Sequence, residues 1–535
     1  MLARPPCDEA VIRAGQAPTP CARAAEPWIL AAAILGSSIV FIDGTVVNLA
    51  LPVVQAELGA TLVEVQWIFE AYALSLAALL LVGGSLGDHF GRRRIFIIGV
   101  GIFSGASAAC GLSQDAQTLI AARAVQGVGG AMLTPGSLAI IGAAFSEDRR
   151  GQAIGTWSSF TAVAAALGPV LGGLLIQQAS WRWVFFLNLP LAAIVLGIAL
   201  WHVPESRDEA PGDLDWWGAL LATVGLAGVV YGLIESSNRG LAHPVVLASL
   251  ALGVGALALF LAVEARGHSP MMPLSLFRAR TFAGVNLLTF LLYGSLSGAL
   301  FFLPFNLIQV QGYSTTAAGA ALLPFVVVMF AVSRWAGSLL DRYGAAPLLV
   351  GGPTTVAAAT ALYAVPGIGG SYWTTFFPAI VLHGLGMALT VAPLTTVVMT
   401  SVDARHVGLA SGINNAISRT AGLLAIAALG VVVVAAFGAA LDGRLAGLSL
   451  PADTVQALAA ERTRLAELEV PPGLGADLSA RVQLAIDESF VDGFRVAALI
   501  SAGLALGAAL SALLTVRRSS RAGNQAATGA PGSGT

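Results

Sequence analysis

The chain has 535 residues, 56% hydrophobic and only 10% charged, with a formal net charge of -2. Soluble globular domains carry roughly 25% charged residues, so a water-soluble fold is excluded, and the absence of a basic stripe excludes a nucleic-acid partner. Cys7, Cys21 and Cys110 have no metal-ligand spacing, so no metal site is expected.

Residues 1–27 read as a cytoplasmic tail without the apolar core of a signal peptide. Beyond it, apolar stretches of about 20 residues recur, each long enough to cross ~30 Å of hydrocarbon as a helix. The short alternating strands of a membrane barrel are missing. Candidate spans lie near 28–50, 65–87, 95–113, 117–141, 152–176, 183–203 and 215–236. They continue near 243–264, 281–303, 317–340, 347–366, 373–397, 408–437 and 494–515. That makes an all-α, fourteen-span membrane protein whose termini share one side. One set of loops holds Arg92–Arg94, Arg149, Arg150, Arg207, Arg266, Arg278, Arg280, Arg342 and Arg405, whereas the opposite short loops hold Arg182 and Arg239. The positive-inside rule places both termini in the cytoplasm.

In the first span, IDGTVVNLALP (42–52) places Asp43 inside the apolar run, with Asn48 farther along. Counting 1.5 Å per residue puts Asp43 ~22 Å above the inner edge. Glu70 in the second span and Arg123 in the fourth come to ~21–22 Å by the same count. Three ionisable groups at one depth are expected to form a proton-carrying or cation-recognising site, because burial and repulsion oppose ionisation of a carboxyl while an arginine favours it. A structural hydrogen bond is the alternative role for Asp43, and an interfacial position beside Trp67 the alternative for Glu70.

The second span ends in GGSLGDHFGRRR (83–94), carrying Gly84, Asp88, Gly91, Arg92 and Arg93. In LIAARAVQGVGGAM (119–132), Arg123, Gln126, Gly127 and Gly130 share one helix face. An arginine inside a span is expensive and so should face a partner or a cavity. LGPVLGGLL (167–175), with Gly168, Pro169, Gly172 and Gly173, combines a lost backbone donor with a small-residue groove. WRWVFFLNLP (181–190) follows. GSLLDRYG (337–344), with Asp341 and Arg342, repeats part of the earlier motif and marks an internal duplication. His383 lies near mid-membrane and reads as a hydrogen-bonded core histidine or a proton relay. GLASGINNAISRTAG (408–422) sets Asn415 and Arg419 four apart, for cavity lining or helix bracing.

The organisation expected is a tail (1–27), a six-helix bundle (28–203), a linker with two extra spans (204–280), a second six-helix bundle (281–515) and a tail (516–535). Within the second bundle, 441–493 is an exterior loop with two short amphipathic helices.

Five of these stretches, in order on matching spans, resemble the major facilitator superfamily, specifically its fourteen-span drug:proton antiporter branch (EmrB/QacA type). The resemblance covers about residues 28–515. It implies two pseudo-symmetric bundles moving by alternating access, and a latch at Asp88 and Arg92–Arg93 that favours the outward-open state. It also implies a proton-coupling role for Arg123 and an antiporter motif at Gly168–Gly173. His89, Ala164 and Glu70 depart from the family pattern. The function expected is export of amphipathic or cationic small molecules in exchange for protons at a bacterial plasma membrane. Asp43, Glu70 and Arg123 would couple the proton, with Asn48, Gln126, Asn415, Arg419 and His383 as cavity-lining candidates. No catalysis and no cofactor beyond the proton gradient are expected, since no P-loop occurs, and the oligomeric state stays open. A nutrient symporter or uniporter, or a membrane sensor, are the alternatives.

Overall fold

A computed structural model describes residues 25–207, 215–267, 270–403, 406–448 and 450–516, with a few side chains inside helices left undescribed. Among these residues the chain is helix and turn throughout. Fourteen helices are long and apolar enough to cross a membrane. The first six are α1 (Glu26–Leu58), α2 (Leu62–Phe90), α3 (Arg92–Leu112), α4 (Ala116–Ala144), α5 (Glu147–Gln178) and α6 (Asn188–His202). Two more follow, α7 (Trp216–Arg239) and α8 (Pro244–Arg266). The last six are α9 (Arg280–Phe305), α10 (Leu323–Tyr343), α11 (Ala345–Tyr363), α12 (Phe377–Thr400), α13 (Val407–Leu445) and α14 (Ala476–Thr515).

Local chemistry sets several boundaries. Thr61 and Glu64 close a capping box at the start of α2, and Asp115 accepts from the Thr118 N–H (2.8 Å) to cap α4. Gly91 (φ +108°) joins α2 directly to α3, and Gly344 (φ +78°) joins α10 to α11. Both backbones lie where only glycine is unstrained, so the repeated motif becomes a repeated junction.

Helices α1–α6 pack together, as do α9–α14, and α7 packs between α2 and α13 with α8 on its outer side. The molecule has two ends: an N-face where α1 begins, and an opposite face. Exposed tryptophans ring both, with Trp28, Trp201, Trp216 and Trp217 at the first and Trp183 and Trp373 at the second, as expected where rings meet lipid headgroups.

The apolar core shows how the halves are apposed. Toward the opposite face one cluster runs through both halves, from Val46, Leu51 and Ile68 to Phe302, Phe437 and Phe490. Toward the N-face it divides into a cluster around Ile29, Phe96 and Ile140 and another around Phe282, Leu349 and Val398. Among the described residues, buried apolar packing joins the halves toward the opposite face and stays within each half toward the N-face.

One expectation needs correction. The segment ADLSARVQLAIDESF is not a separate loop helix; it is the beginning of α14, which runs unbroken for 40 residues, or ~60 Å. No proline interrupts it. The projecting ends of α13 and α14 are clamped by Arg444 to Glu488 (3.0 Å) and Asp492 (2.6 Å). Ala452–Ala460 does form a short helix, followed by a turn at Arg462–Glu467.

Candidate functional site

Asp43 is 1% exposed and Arg123 and Gln126 are 0% exposed. Three N–H donors surround the Asp43 carboxylate. Arg123 Nη1 donates to Oδ2 at 2.5 Å, and Gln126 Nε2 (2.8 Å) and Asn188 Nδ2 (3.1 Å) donate to Oδ1. Arg123 also donates to Gln126 Oε1 (2.7 Å) and, through Nε, to the Ile68 carbonyl (3.1 Å). Its guanidinium lies 4.1 Å from the Tyr72 ring centre and 5.8 Å from that of Phe185, within cation–π range. Asn188 donates onward to Ser107, whose hydroxyl donates to the Phe185 carbonyl. The network ties α1, α2, α3, α4 and α6 at one level. A buried ion pair tolerates desolvation only when its remaining lone pairs and protons are satisfied, and here nearly all are; Arg123 Nη2 is the exception on that side chain.

Asn188, Ser107 and Tyr72 escaped the sequence reading. Asn188 left a signal, as the one amide in the apolar run WVFFLNLPLAAIVL.

Glu70 does not join this group. It is 0% exposed, and neither carboxyl oxygen has a hydrogen-bond partner. Helical periodicity explains the separation: Ile68 and Tyr72 face α4, and Glu70, two residues from each, points away.

A cavity of about 240 Å³ lies between the halves. Gly44, Thr45 and Asn48 of α1 wall one side; Phe69, Phe301 and Phe325 supply aromatic surface. Asp43 is absent from that wall and faces the interior of its own bundle. Asn48 also donates to the Leu300 carbonyl (3.1 Å). The other cavity candidates sit elsewhere. Gln126 belongs to the Asp43 network. His383 is fully buried, 3.5 Å from the Tyr363 hydroxyl through Nδ1 and edge-on to Phe325, one layer behind the cavity. Arg419 donates to Asn415 (3.3 Å) outside the cavity lining. The bracing falls to the neighbouring Asn414, which bonds Asn286 (3.0 Å) and Thr289 (2.7 Å) on α9.

The glycines of LGPVLGGLL act at two contacts. A Cβ on Gly168 would stand 2.0 Å from Thr45 Oγ1 and one on Gly172 2.6 Å from Val46, so both let α5 touch α1. Across the halves, a Cβ on Gly173 would meet the Thr315 carbonyl at 2.5 Å, and one on Gly319 the Pro169 carbonyl at 2.2 Å. Thr315 Oγ1 donates to the Gly173 carbonyl (3.0 Å). Gln55 donates to the Arg464 carbonyl (3.1 Å) and accepts from Gln309 (3.1 Å). Among the described residues, every hydrogen bond between the halves lies toward the opposite face.

At the N-face, Asp88 accepts from Arg92 Nε (2.9 Å) and Nη2 (2.8 Å) within its own bundle. Gly84 approaches Pro135, and a Cβ on Gly91 would collide with Glu205. Glu205 accepts from the Arg93 N–H (3.1 Å), while the Arg93 side chain reaches the Leu200 carbonyl (2.7 Å). In the second copy Arg342 lies over the Tyr343 ring; the Asp341 side chain is outside the described ones. In the first copy the Asp88–Arg92 pair therefore braces its own half.

Residues 33–427 match the family model of the Major Facilitator Superfamily. The chain belongs to that superfamily. It is 34% identical over 487 residues to a tetracenomycin C resistance and export protein of Streptomyces glaucescens, covering 90% of each chain. It is also 34% identical to the multidrug resistance protein Stp of Mycobacterium tuberculosis, over 87% of this chain and 88% of that one. In fold it is similar to a bacterial homologue of the human lysosomal transporter Spinster in an inward-facing, unoccupied conformation, with a TM-score of 0.62 at 17% identity over 94% of this chain and 100% of that one. The protein is a multi-pass membrane transporter of the major facilitator fold.

Proposed function

We propose that this transporter exports amphipathic small molecules from the cytoplasm in exchange for protons, with the arginine-bearing N-face inside. In that orientation the present conformation is inward-facing, ready to receive cargo. The observation carrying the reading is the sealed Asp43–Arg123 pair directly behind the cavity wall. Relatives named for antibiotic resistance and export support the direction.

Coupling follows from the two faces of α1. Asp43 looks into its own bundle, while Gly44, Thr45 and Asn48 look into the cavity. A proton added to Asp43 cancels its charge, weakens the bond to Arg123 Nη1 and frees α1 to shift its cavity-facing residues. Proton and cargo thus act on opposite sides of one helix. A cationic cargo would gain little from Asp43 itself, whose charge Arg123 already compensates. Recognition rests on the phenylalanine surface with Asn48 and Thr45 for orientation, which suits loose selection of hydrophobic compounds. The membrane potential contributes ~2.3 kcal/mol per charge per 100 mV.

The test is a toxicity panel in a pump-deficient host expressing the wild type or Asp43→Asn. Wild type is expected to raise tolerance to several hydrophobic compounds and to lose that benefit with an uncoupler. Protection that survives both the uncoupler and Asp43→Asn would refute proton coupling.

A further inference from the structure

Glu70 is a carboxyl group in an unusual place. It lies on the face of α2 that carries Gln66, Ala73, Leu74 and Ala77, turned from α4 toward the seam where α2 meets α7 and α13. One turn above it, Gln66 Nε2 donates to the Ile426 carbonyl of α13 (3.0 Å), with Gly430 packed against the same amide. The apolar cluster that this face of α2 joins holds Val63, Val230, Ile234, Leu423 and Ala427, all buried.

The charged and titratable groups on the surrounding helices are engaged elsewhere. Asp43 on α1 and Arg123 on α4 hold each other on the other flank of α2. On α7, Tyr231 lies tilted against Trp67 and Glu235 pairs with Arg239. Arg419 on α13 bonds Asn415, Arg464 in the turn beyond the seam pairs with Glu461, and Arg92–Arg94 of α3 lie at the N-face. Both Glu70 oxygens and Gln66 Oε1 remain without partners.

A carboxylate cut off from bulk solvent, with no counter-charge beside it among the described residues, is costly to keep ionised and neutralises instead. The seam is also a contact between the two halves, on the side where their apolar cores are joined. We propose that Glu70 is a second proton-binding site, separate from the Asp43–Arg123 pair, and that its protonation is the condition for closing the opposite face. The carboxylate takes a proton from the aqueous phase on that side before α13 and α7 cover it, and returns the proton there on reopening. It therefore gates the cycle without adding to the protons carried across. The inserted helix α7 acquires a role as part of the cover over this group. The assignment of that aqueous phase to the exterior rests on the orientation proposed above; the linkage itself does not.

The sign follows from burial. In the proposed step closure requires uptake of one proton, so it is favoured at low pH and lost as pH rises. One linked proton changes the closed-to-open ratio roughly tenfold per pH unit across the titrating range.

The experiment uses the full chain in lipid nanodiscs with Cys7 and Cys21 replaced by Ser and spin labels at Gln178 and Ser371, exposed opposite-face positions on the two halves. Distances are read from about pH 5 to about pH 9. Wild type should shift from short to long distances as pH rises. Glu70→Gln, and the apolar Glu70→Met should the amide fold poorly, should stay short throughout, while Asp115→Ala, which removes an exposed carboxyl at the same face, should keep the wild-type response. A flat wild-type profile, or a response retained in both Glu70 variants, overturns the proposal. A response abolished by Asp43→Asn alone overturns it too, by moving the gate to the other carboxyl. Failure of wild type to transport anything would refute the export reading and leave this equilibrium intact.

Discussion

Two carboxyl groups are buried to the same degree in this bundle, and their surroundings differ in kind. Asp43 is met by three N–H donors, one from a guanidinium, all on helices of its own half. Glu70, in the seam between the halves, is met by none. The difference matches what each region would do in the proposed cycle. A polar network inside one bundle keeps its donors within reach while the halves rock, whether Asp43 is ionised or protonated. A contact between the halves must form and dissolve in every cycle, and a fixed ion pair there would hold it shut.

Removing a partner is the most severe way to probe that contrast. Arg123→Leu leaves Asp43 buried without a counter-charge, which costs ~3–5 kcal/mol; folded yield and melting temperature in detergent should fall sharply. Glu70→Gln, which strands no charge, should melt close to wild type, and equal losses in the two variants would erase the distinction. Next comes the seam. Gly319→Val forces a Cβ toward the Pro169 carbonyl at 2.2 Å, and overpacking of this sort costs ~1–3 kcal/mol. That cost falls on the closed form alone, so the Gln178–Ser371 label distance should lengthen and transport should slow while the melting temperature changes little. Asn188→Ala strands no charge, since Gln126 still holds Asp43 Oδ1; each of its two lost hydrogen bonds should cost ~0.5–1.5 kcal/mol in unfolding measurements. The mildest case is an exposed control, Asp115, whose carboxyl is held below the usual range by the Thr118 backbone N–H. Its capping contribution is present above the unfolded-state value and lost as pH falls through the folded one. Asp115→Ala should melt slightly lower at neutral pH and lack that part of the acid sensitivity.

The spans and their number were legible because each apolar run exceeds the membrane thickness, and Asp43 and Arg123 stood out as charges within such runs. Counting residues from a span boundary gives depth, which put Glu70 level with the pair. Depth says nothing of azimuth. Which flank of α2 meets α4 and which meets α13 is fixed by glycine contacts such as Gly127 against the Tyr72 carbonyl, and these arise only in the packed bundle. The continuous α14 was hidden for a related reason. Hydropathy divides its amphipathic beginning from its apolar remainder, whereas the backbone has nothing there to break it. Asn188 shows the reverse, a site residue visible as a polar exception whose partner no single sequence reveals.

The central claim is that Asp43 carries the proton that drives cargo. Purified wild type and Asp43→Asn, reconstituted in liposomes, can be compared for cargo movement driven by an imposed pH gradient and for cargo exchange without one. Wild type should do both, and Asp43→Asn should exchange cargo yet ignore the gradient. Gradient-driven accumulation by Asp43→Asn at the wild-type rate would contradict the account.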